Sequence, residues 1–181
     1  MASERTLHTE SVYKGRVVNL RVDTVELPSG RKTKREIVEH GQCAAIVAID
    51  AQENVILVRQ FRKPVEGSLL EVPAGGVDPG EEPSDCARRE LVEETGYSAQ
   101  NLAYLGGFYT SPGFCTEYMH LFLATGLEPG GQAPEADETI EVIHIPLAKI
   151  PELITSGEIC DGKSITGLLR VILSPERRIG G

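Results

Sequence analysis

The stretch Gly75–Tyr97, GGVDPGEEPSDCARRELVEETGY, decides how the rest of the chain is read. It carries five glutamates within fourteen residues: Glu81, Glu82, Glu90, Glu93 and Glu94. Its first part is loop chemistry. From Ser84, a good N-cap residue, to Gly96, placed where a left-handed stop belongs, the pattern predicts a helix. On that helix Glu90 and Glu94 stand four apart on one face, with Glu93 beside them. Like charges at this spacing destabilise an isolated helix, and its C-terminal turn is where the macrodipole disfavours anions. Both costs accepted at one place point to a cation there. The plain alternative is a solvated acidic face, with Arg89 pairing Glu93 at i, i+4.

Spacing separates the two readings. Gly75, five residues, Glu81, seven residues, then Arg89-Glu90-Leu91-Val92-Glu93-Glu94-Thr95-Gly96-Tyr97 resembles the complete signature of the Nudix hydrolase family. Tyr97 is a small departure, since an aliphatic residue is more usual there. The resemblance implies an α+β fold, an α/β/α sandwich with a mixed central sheet, in which the signature is a loop-helix-loop catalytic motif. It implies Glu90 and Glu94 as metal ligands, with the Ala74 carbonyl oxygen completing the set. Gly75, Glu81, Arg89 and Gly96 frame the motif, and Arg89 orients Glu81 or Glu93. An oxygen-only ligand set favours Mg2+, or else Mn2+, over zinc. Such metals polarise water, and a nearby carboxylate takes the proton. Two residues are candidates for that base: Glu93 on the helix, and Glu138, which the resemblance also places over the metals from a later loop.

The totals suit one domain with a full core, at 181 residues, 40% hydrophobic and 25% charged. A net charge of −9 argues against nonspecific binding to nucleic acid or an anionic membrane. It leaves room for a phosphate substrate, because bound divalent metals reverse the local sign. Cys43, Cys86, Cys115 and Cys160 form no CxxC pair and read as free thiols in a reducing compartment. MASERTLHTE is too polar for a signal peptide, and no apolar run approaches the length of a membrane span. The expectation is a soluble cytoplasmic protein.

Upstream of the motif, Val18, Leu20 and Val22 alternate with polar residues as in a half-buried strand. Leu27-Pro28-Ser29-Gly30 is a turn, and Lys32–His40 returns as a polar, edge-like strand. These residues predict an N-terminal antiparallel β extension, residues 1–40, ahead of a catalytic domain, residues 41–181. In the ADP-ribose-hydrolysing branch of the family such a segment helps to form a homodimer, and the resemblance implies the same here. Ala44–Asp50 and Val55–Gln60 form the clearest hairpin. Arg59, Arg62 and Lys63 follow around Phe61, and arginine is well shaped for phosphate. By position Arg62 matches an arginine that touches substrate in ADP-ribose hydrolases, with Arg59 close by.

Downstream, Leu102–Thr110 and Met119–Ala124 read as strands joined by a turn. Within it Pro112, fifteen residues beyond the motif and followed by Gly113 and Phe114, resembles the substrate-binding marker of the ADP-ribose pyrophosphatase branch. Gly126–Thr139 is a Gly- and Pro-containing loop that carries Glu138. Ile140–Ile145 reads as a strand, and helical turns from Pro146 stop at Ser156-Gly157. A last helix, capped by Asp161 or Ser164, has Ile165, Leu168, Leu169 and Ile172 as its apolar stripe.

Spacing and charge reach metal-dependent pyrophosphate hydrolysis and no further. The resemblance implies ADP-ribose as substrate, with AMP and ribose 5-phosphate as products. Its rivals are GDP-mannose or another nucleoside diphosphate sugar, and dinucleotides such as NADH or diadenosine polyphosphates. A non-catalytic ADP-ribose sensor is a third alternative, and the complete set of motif carboxylates argues against it.

Overall fold

In the computed structural model, residues 3–132 and 139–173 are described. They fall into two compact units, Met1–Gln42 with Tyr109–Tyr118, and Cys43–Phe108 with Met119–Gly181.

The first unit is built on an antiparallel sheet of β1 (Arg5–Lys14), β2 (Asn19–Glu26) and β3 (Lys32–Glu39), in that order. The sequence gives no sign of β1. All ten of its residues are exposed, so no hydrophobic alternation marks it. The backbone ladder to β2 holds it, helped by a surface pair between Arg5 and Glu26 at 2.7 Å. In β2 burial falls on Asp23 and Val25, while Leu20 and Val22 are half-buried. The expected inward face is therefore corrected: Asp23 turns inward beside the Arg21 guanidinium at 3.4 Å. The 111–117 turn is stitched to β3. Val38 N–H donates to Phe114 O at 2.8 Å, and Thr116 N–H donates to Val38 O at 3.0 Å.

The second unit contains a seven-stranded sheet of β4 (Cys43–Ile49), β5 (Asn54–Arg62), β6 (Gly67–Glu71), β7 (Ala74–Gly76), β8 (Tyr97–Tyr109), β9 (Tyr118–Pro129) and β10 (Ile140–Pro146). The order is β10-β5-β4-β9-β8, with β6 on β5 and β7 on β4. The sheet is mixed, because β4 runs parallel to β9 and antiparallel to β5 and β7.

Every residue of β4 is buried, and the two-residue period sorts its side chains onto opposite faces. Ala44, Ile46 and Ala48 pack with Cys86, Ala87 and Leu91 of α1 (Pro83–Thr95). Cys43, Ala45, Val47 and Ile49 share a cluster with Ile150 of α2 (Ile150–Ser156) and with Leu168 and Val171 of α3 (Gly162–Leu173). Helices thus cover both faces of the sheet, the α/β/α sandwich that the motif implied. Gly167 lets α3 come close, since a Cβ there would stand 3.0 Å from Val47.

Two helix starts need comment. α1 begins at Pro83 with Glu82 as its N-cap, so Ser84 lies inside the first turn and is not the cap. The fixed φ of proline suits the first helical position and moves the start upstream. For α3 the cap is Asp161, whose Oδ2 accepts from the Ser164 amide at 3.0 Å and hydroxyl at 2.6 Å.

One departure from regularity positions the site. β4 and β5 pair only at Ala48–Ile56 and Ile49–Val55. Beyond that point β4 pairs with β7 and β5 with β6, so the two strands splay. The Glu71–Ala74 segment joins β6 to β7 in this splay, tied to β4 by Ile46 N–H donating to Pro73 O at 2.9 Å. No helix among the described residues is long and apolar enough to cross a membrane.

Candidate active site

The two consecutive residues Ala74 and Gly75 receive two of the acidic side chains of α1, Glu94 and Glu90. The Ala74 amide donates to Glu94 Oε2 at 3.1 Å, and Glu94 is only 3% exposed. A Cβ on Gly75 would lie 1.9 Å from Glu90 Oε1, so the Glu90 carboxylate rests directly on that backbone and any larger residue would displace it. Ala74, Gly75, Glu90 and Glu94 are thereby brought together. Gly96 ends the helix with φ 74°.

Arg89 organises the remaining carboxylates. Its guanidinium donates to Glu81 Oε1 and Oε2 at 3.0 and 3.1 Å, to Glu90 Oε1 at 2.7 Å and to Glu93 Oε2 at 3.0 Å. It also donates to Gly76 O at 3.1 Å, which links the helix to the glycine loop. Glu81, held chiefly by Arg89 and then by the Asp78 amide, titrates below the ordinary carboxylate range. Its hydrogen bond to Glu81, more than those to Glu90 and Glu93, pushes Arg89 above its already high value. The buried Cys86 thiol donates to Gly76 O at 3.2 Å. Burial, reinforced by Glu90 and Glu81, pushes that thiol up to about 12, so it stays neutral. Glu82 is exposed on the surface.

These oxygens suit a hard divalent cation. Two carboxylates one helical turn apart face a bent, glycine-relieved backbone, and three carboxylates share one guanidinium. That is a surplus of negative charge with a geometry of oxygens.

Two further features adjoin the motif. At the end of α1, Gln132 Nε2 donates to Glu94 O at 2.7 Å, and Gly130 N–H donates to Gly96 O at 2.6 Å. Residues 130–132 are thus fixed to the helix that carries Glu94, and the loop expected from Gly126 begins later, because β9 continues to Pro129. Glu138 itself lies outside the described residues.

The second feature is a set of ion pairs around Glu71, the last residue of β6. Arg62 grips Glu71 as a fork, Nε to Oε1 at 3.0 Å and Nη2 to Oε2 at 2.7 Å. Lys163 at the start of α3 bonds the same carboxylate and also Asp161 Oδ2 at 2.9 Å. Glu71 is 1% exposed. Burial alone would raise its pKa, but Arg62 and Lys163 together hold it below the ordinary value. The hydrogen bond to Glu71 is foremost in raising Arg62 above its ordinary value, with weaker pulls from Glu94 and Asp161. Arg59 points elsewhere, toward Glu141 at 3.9 Å and Glu158 at 3.7 Å.

In the first unit, Pro112, Gly113 and Phe114 line a pocket of about 350 Å3 together with Arg21 and Arg35. The Phe114 ring is 57% exposed.

Sequence reading missed the Glu71 cluster and the Gln132 anchor. One signal was there to be used. Glu71 stands alone in the run Leu69-Leu70-Glu71-Val72, and a lone carboxylate in a buried strand requires a cation.

Comparison with known proteins covers nearly the whole chain. The model of the NUDIX domain matches residues 39–165, and that of the nucleoside diphosphate sugar hydrolase N-terminal domain matches residues 4–38. The chain is 44% identical over 163 residues to an ADP-ribose pyrophosphatase of Bacillus subtilis (strain 168), covering 89% of this chain and 88% of that one. It is 43% identical over 164 residues to a methanol dehydrogenase activator of Bacillus methanolicus, covering 90% and 89%. A crystal structure of an ADP compounds hydrolase superposes with a TM-score of 0.88 at 23% identity, covering 97% of this chain and 96% of that one, a likeness of fold.

Proposed function

The chain belongs to the Nudix hydrolase family, and from that premise we propose that it hydrolyses the pyrophosphate bond of ADP-ribose to AMP and ribose 5-phosphate with Mg2+. The observation that carries the hydrolytic part is the seating of Glu90 and Glu94 on the Ala74–Gly75 backbone, with Arg89 fastening the neighbouring carboxylates. Similarity along almost the full length to an ADP-ribose pyrophosphatase supports the choice of substrate.

In this reading Glu90, Glu94 and the Ala74 carbonyl oxygen hold Mg2+, with Mn2+ a workable substitute and Glu138 a further ligand. When bound, the metal offsets the charge of the diphosphate and lowers the pKa of a water. The protein's own groups do the rest. Arg89 keeps Glu90 aimed. Glu93 accepts the proton of the attacking water, or Glu138 does so from its loop. Arg62 offers its guanidinium to a phosphate oxygen, with Arg59 at the rim. Residues 41–181 form the catalytic part and residues 1–40 the dimerisation part. The exposed apolar side chains Leu7, Val12 and Tyr13 of β1 support pairing with a second copy. The homodimer works in the cytoplasm.

A second reading is hydrolysis of another nucleoside diphosphate sugar, GDP-mannose included, and the match over residues 4–38 favours it. One assay separates them: AMP or GMP release from ADP-ribose, GDP-mannose, NADH and diadenosine polyphosphates with Mg2+. The expected result is a kcat/KM for ADP-ribose at least ~10-fold above every other compound, the size of one well-placed polar contact. Preference for any other compound contradicts the substrate assignment.

A further inference from the structure

Glu71 is buried and ionised, lies outside the motif, and takes no part in the chemistry above. We propose that it is a positioning residue: from within the splay between β4 and β5 it fixes the Arg62 guanidinium in the orientation that meets the substrate diphosphate. This rests on the reading of Arg62 as a phosphate contact.

The geometry supports it in three ways. First, both Glu71 oxygens are used on Arg62, at 3.0 and 2.7 Å, and a fork of this kind fixes the plane of a guanidinium as well as its position. Second, Glu71 is itself immobilised. Lys163 bonds it from α3, Asp161 holds Lys163 at 2.9 Å, and Ser164 Oγ, bonded to Asp161 at 2.6 Å, accepts the neighbouring Val72 amide at 2.8 Å. The carboxylate is therefore anchored from α3 as well as from β6, and the Val72–Ser164 bond ties the segment after β6 to α3. Third, Arg62 remains open on one side, with 36% of its side chain exposed, so its donors are not all consumed. Ordering a long side chain before substrate arrives removes part of the cost of binding.

The test is steady-state kinetics on ADP-ribose with Mg2+ for the full-length wild type, E71Q, R62A and E71Q/R62A, well below each variant's Tm. E71Q keeps the shape of the side chain and removes its charge. The expected outcome is a KM raised ~10-fold in E71Q with kcat within ~3-fold, and no further change when E71Q is added to R62A. A purely structural role would instead lower the folded fraction and leave KM alone. An unaltered KM in E71Q beside a raised KM in R62A overturns the positioning role alone, as does an E71Q effect that persists in full in the R62A background. An unaltered KM in R62A overturns the reading of Arg62 itself, and the positioning role falls with it. Should E71Q not fold, Glu71→Asp carries the same test: it keeps the charge, cannot reach both guanidinium nitrogens, and is expected to raise KM by a smaller factor.

Discussion

The second unit holds two groups of carboxylates and treats them in opposite ways. Around Glu71 the charges balance: Glu71 and Asp161 face Arg62 and Lys163, all within bonding distance. On α1 they do not. Glu81, Glu90 and Glu93 share the single guanidinium of Arg89, while Glu94 lies buried against the Ala74 amide. A balanced cluster joins parts of a fold and holds its members, Arg62 among them, in a fixed orientation. An unbalanced one, built on a helix end that disfavours anions, is tolerated for what it can bind. The contrast separates carboxylates that position other side chains from carboxylates left to hold a cation.

Substitutions in the two groups can break this contrast. The largest expected effect is on turnover. Glu94→Gln should lower kcat by at least ~1000-fold, the loss of a metal ligand that acts in the transition state, with the circular dichroism spectrum unchanged. Near-normal turnover in saturating Mg2+ would place Glu94 with the structural group. The next effect runs the other way, on stability. In EDTA, Glu71→Gln should lose roughly 2 kcal/mol in urea unfolding, because it leaves Lys163, largely buried, and the half-exposed Arg62 without their shared anion. Glu94→Gln should lose under about 1 kcal/mol, since the amide can still accept from Ala74 while a repulsive charge is gone. Equal losses in the two variants would erase the distinction.

The smallest expected effect is in pH. Glu71 has a folded-state pKa below its ordinary 4.5, and Asp161 one below 3.8. A carboxylate depressed in this way contributes its full stability above the ordinary value and loses it as pH falls through the folded value. Thermal melts of the wild type should therefore show no contribution from this cluster to pH dependence near neutrality, and a falling Tm below about pH 4.5. In Glu71→Gln that acid-side fall should be shallower. A parallel fall in both proteins would remove Glu71 from the account of acid stability.

Much of this was legible in the sequence, for identifiable reasons. The motif is a local pattern, so its helix, its Gly96 stop and the spacing of its carboxylates were all readable. The β4–β5 hairpin announces itself by apolar runs around a turn whose Asp50 accepts from the Gln52 and Asn54 amides. Features fixed by tertiary context were not readable. β1 has no buried face to produce a pattern. Asp23 is buried through its neighbour Arg21, against what its polarity predicts. Glu71 finds Lys163 92 positions away, and no local rule reaches that far. Arg62 was chosen by position alone. The structure adds what a position cannot supply, the anion that holds it.

The central claim is that the surplus charge on α1 exists to hold the cation on which hydrolysis depends. Isothermal titration of Mg2+ into the wild type, Glu94→Gln and Glu71→Gln tests it most directly. The account predicts that binding survives in Glu71→Gln and weakens by on the order of 100-fold in Glu94→Gln. Undiminished binding by Glu94→Gln, or a loss in Glu71→Gln as large as in Glu94→Gln, would contradict it.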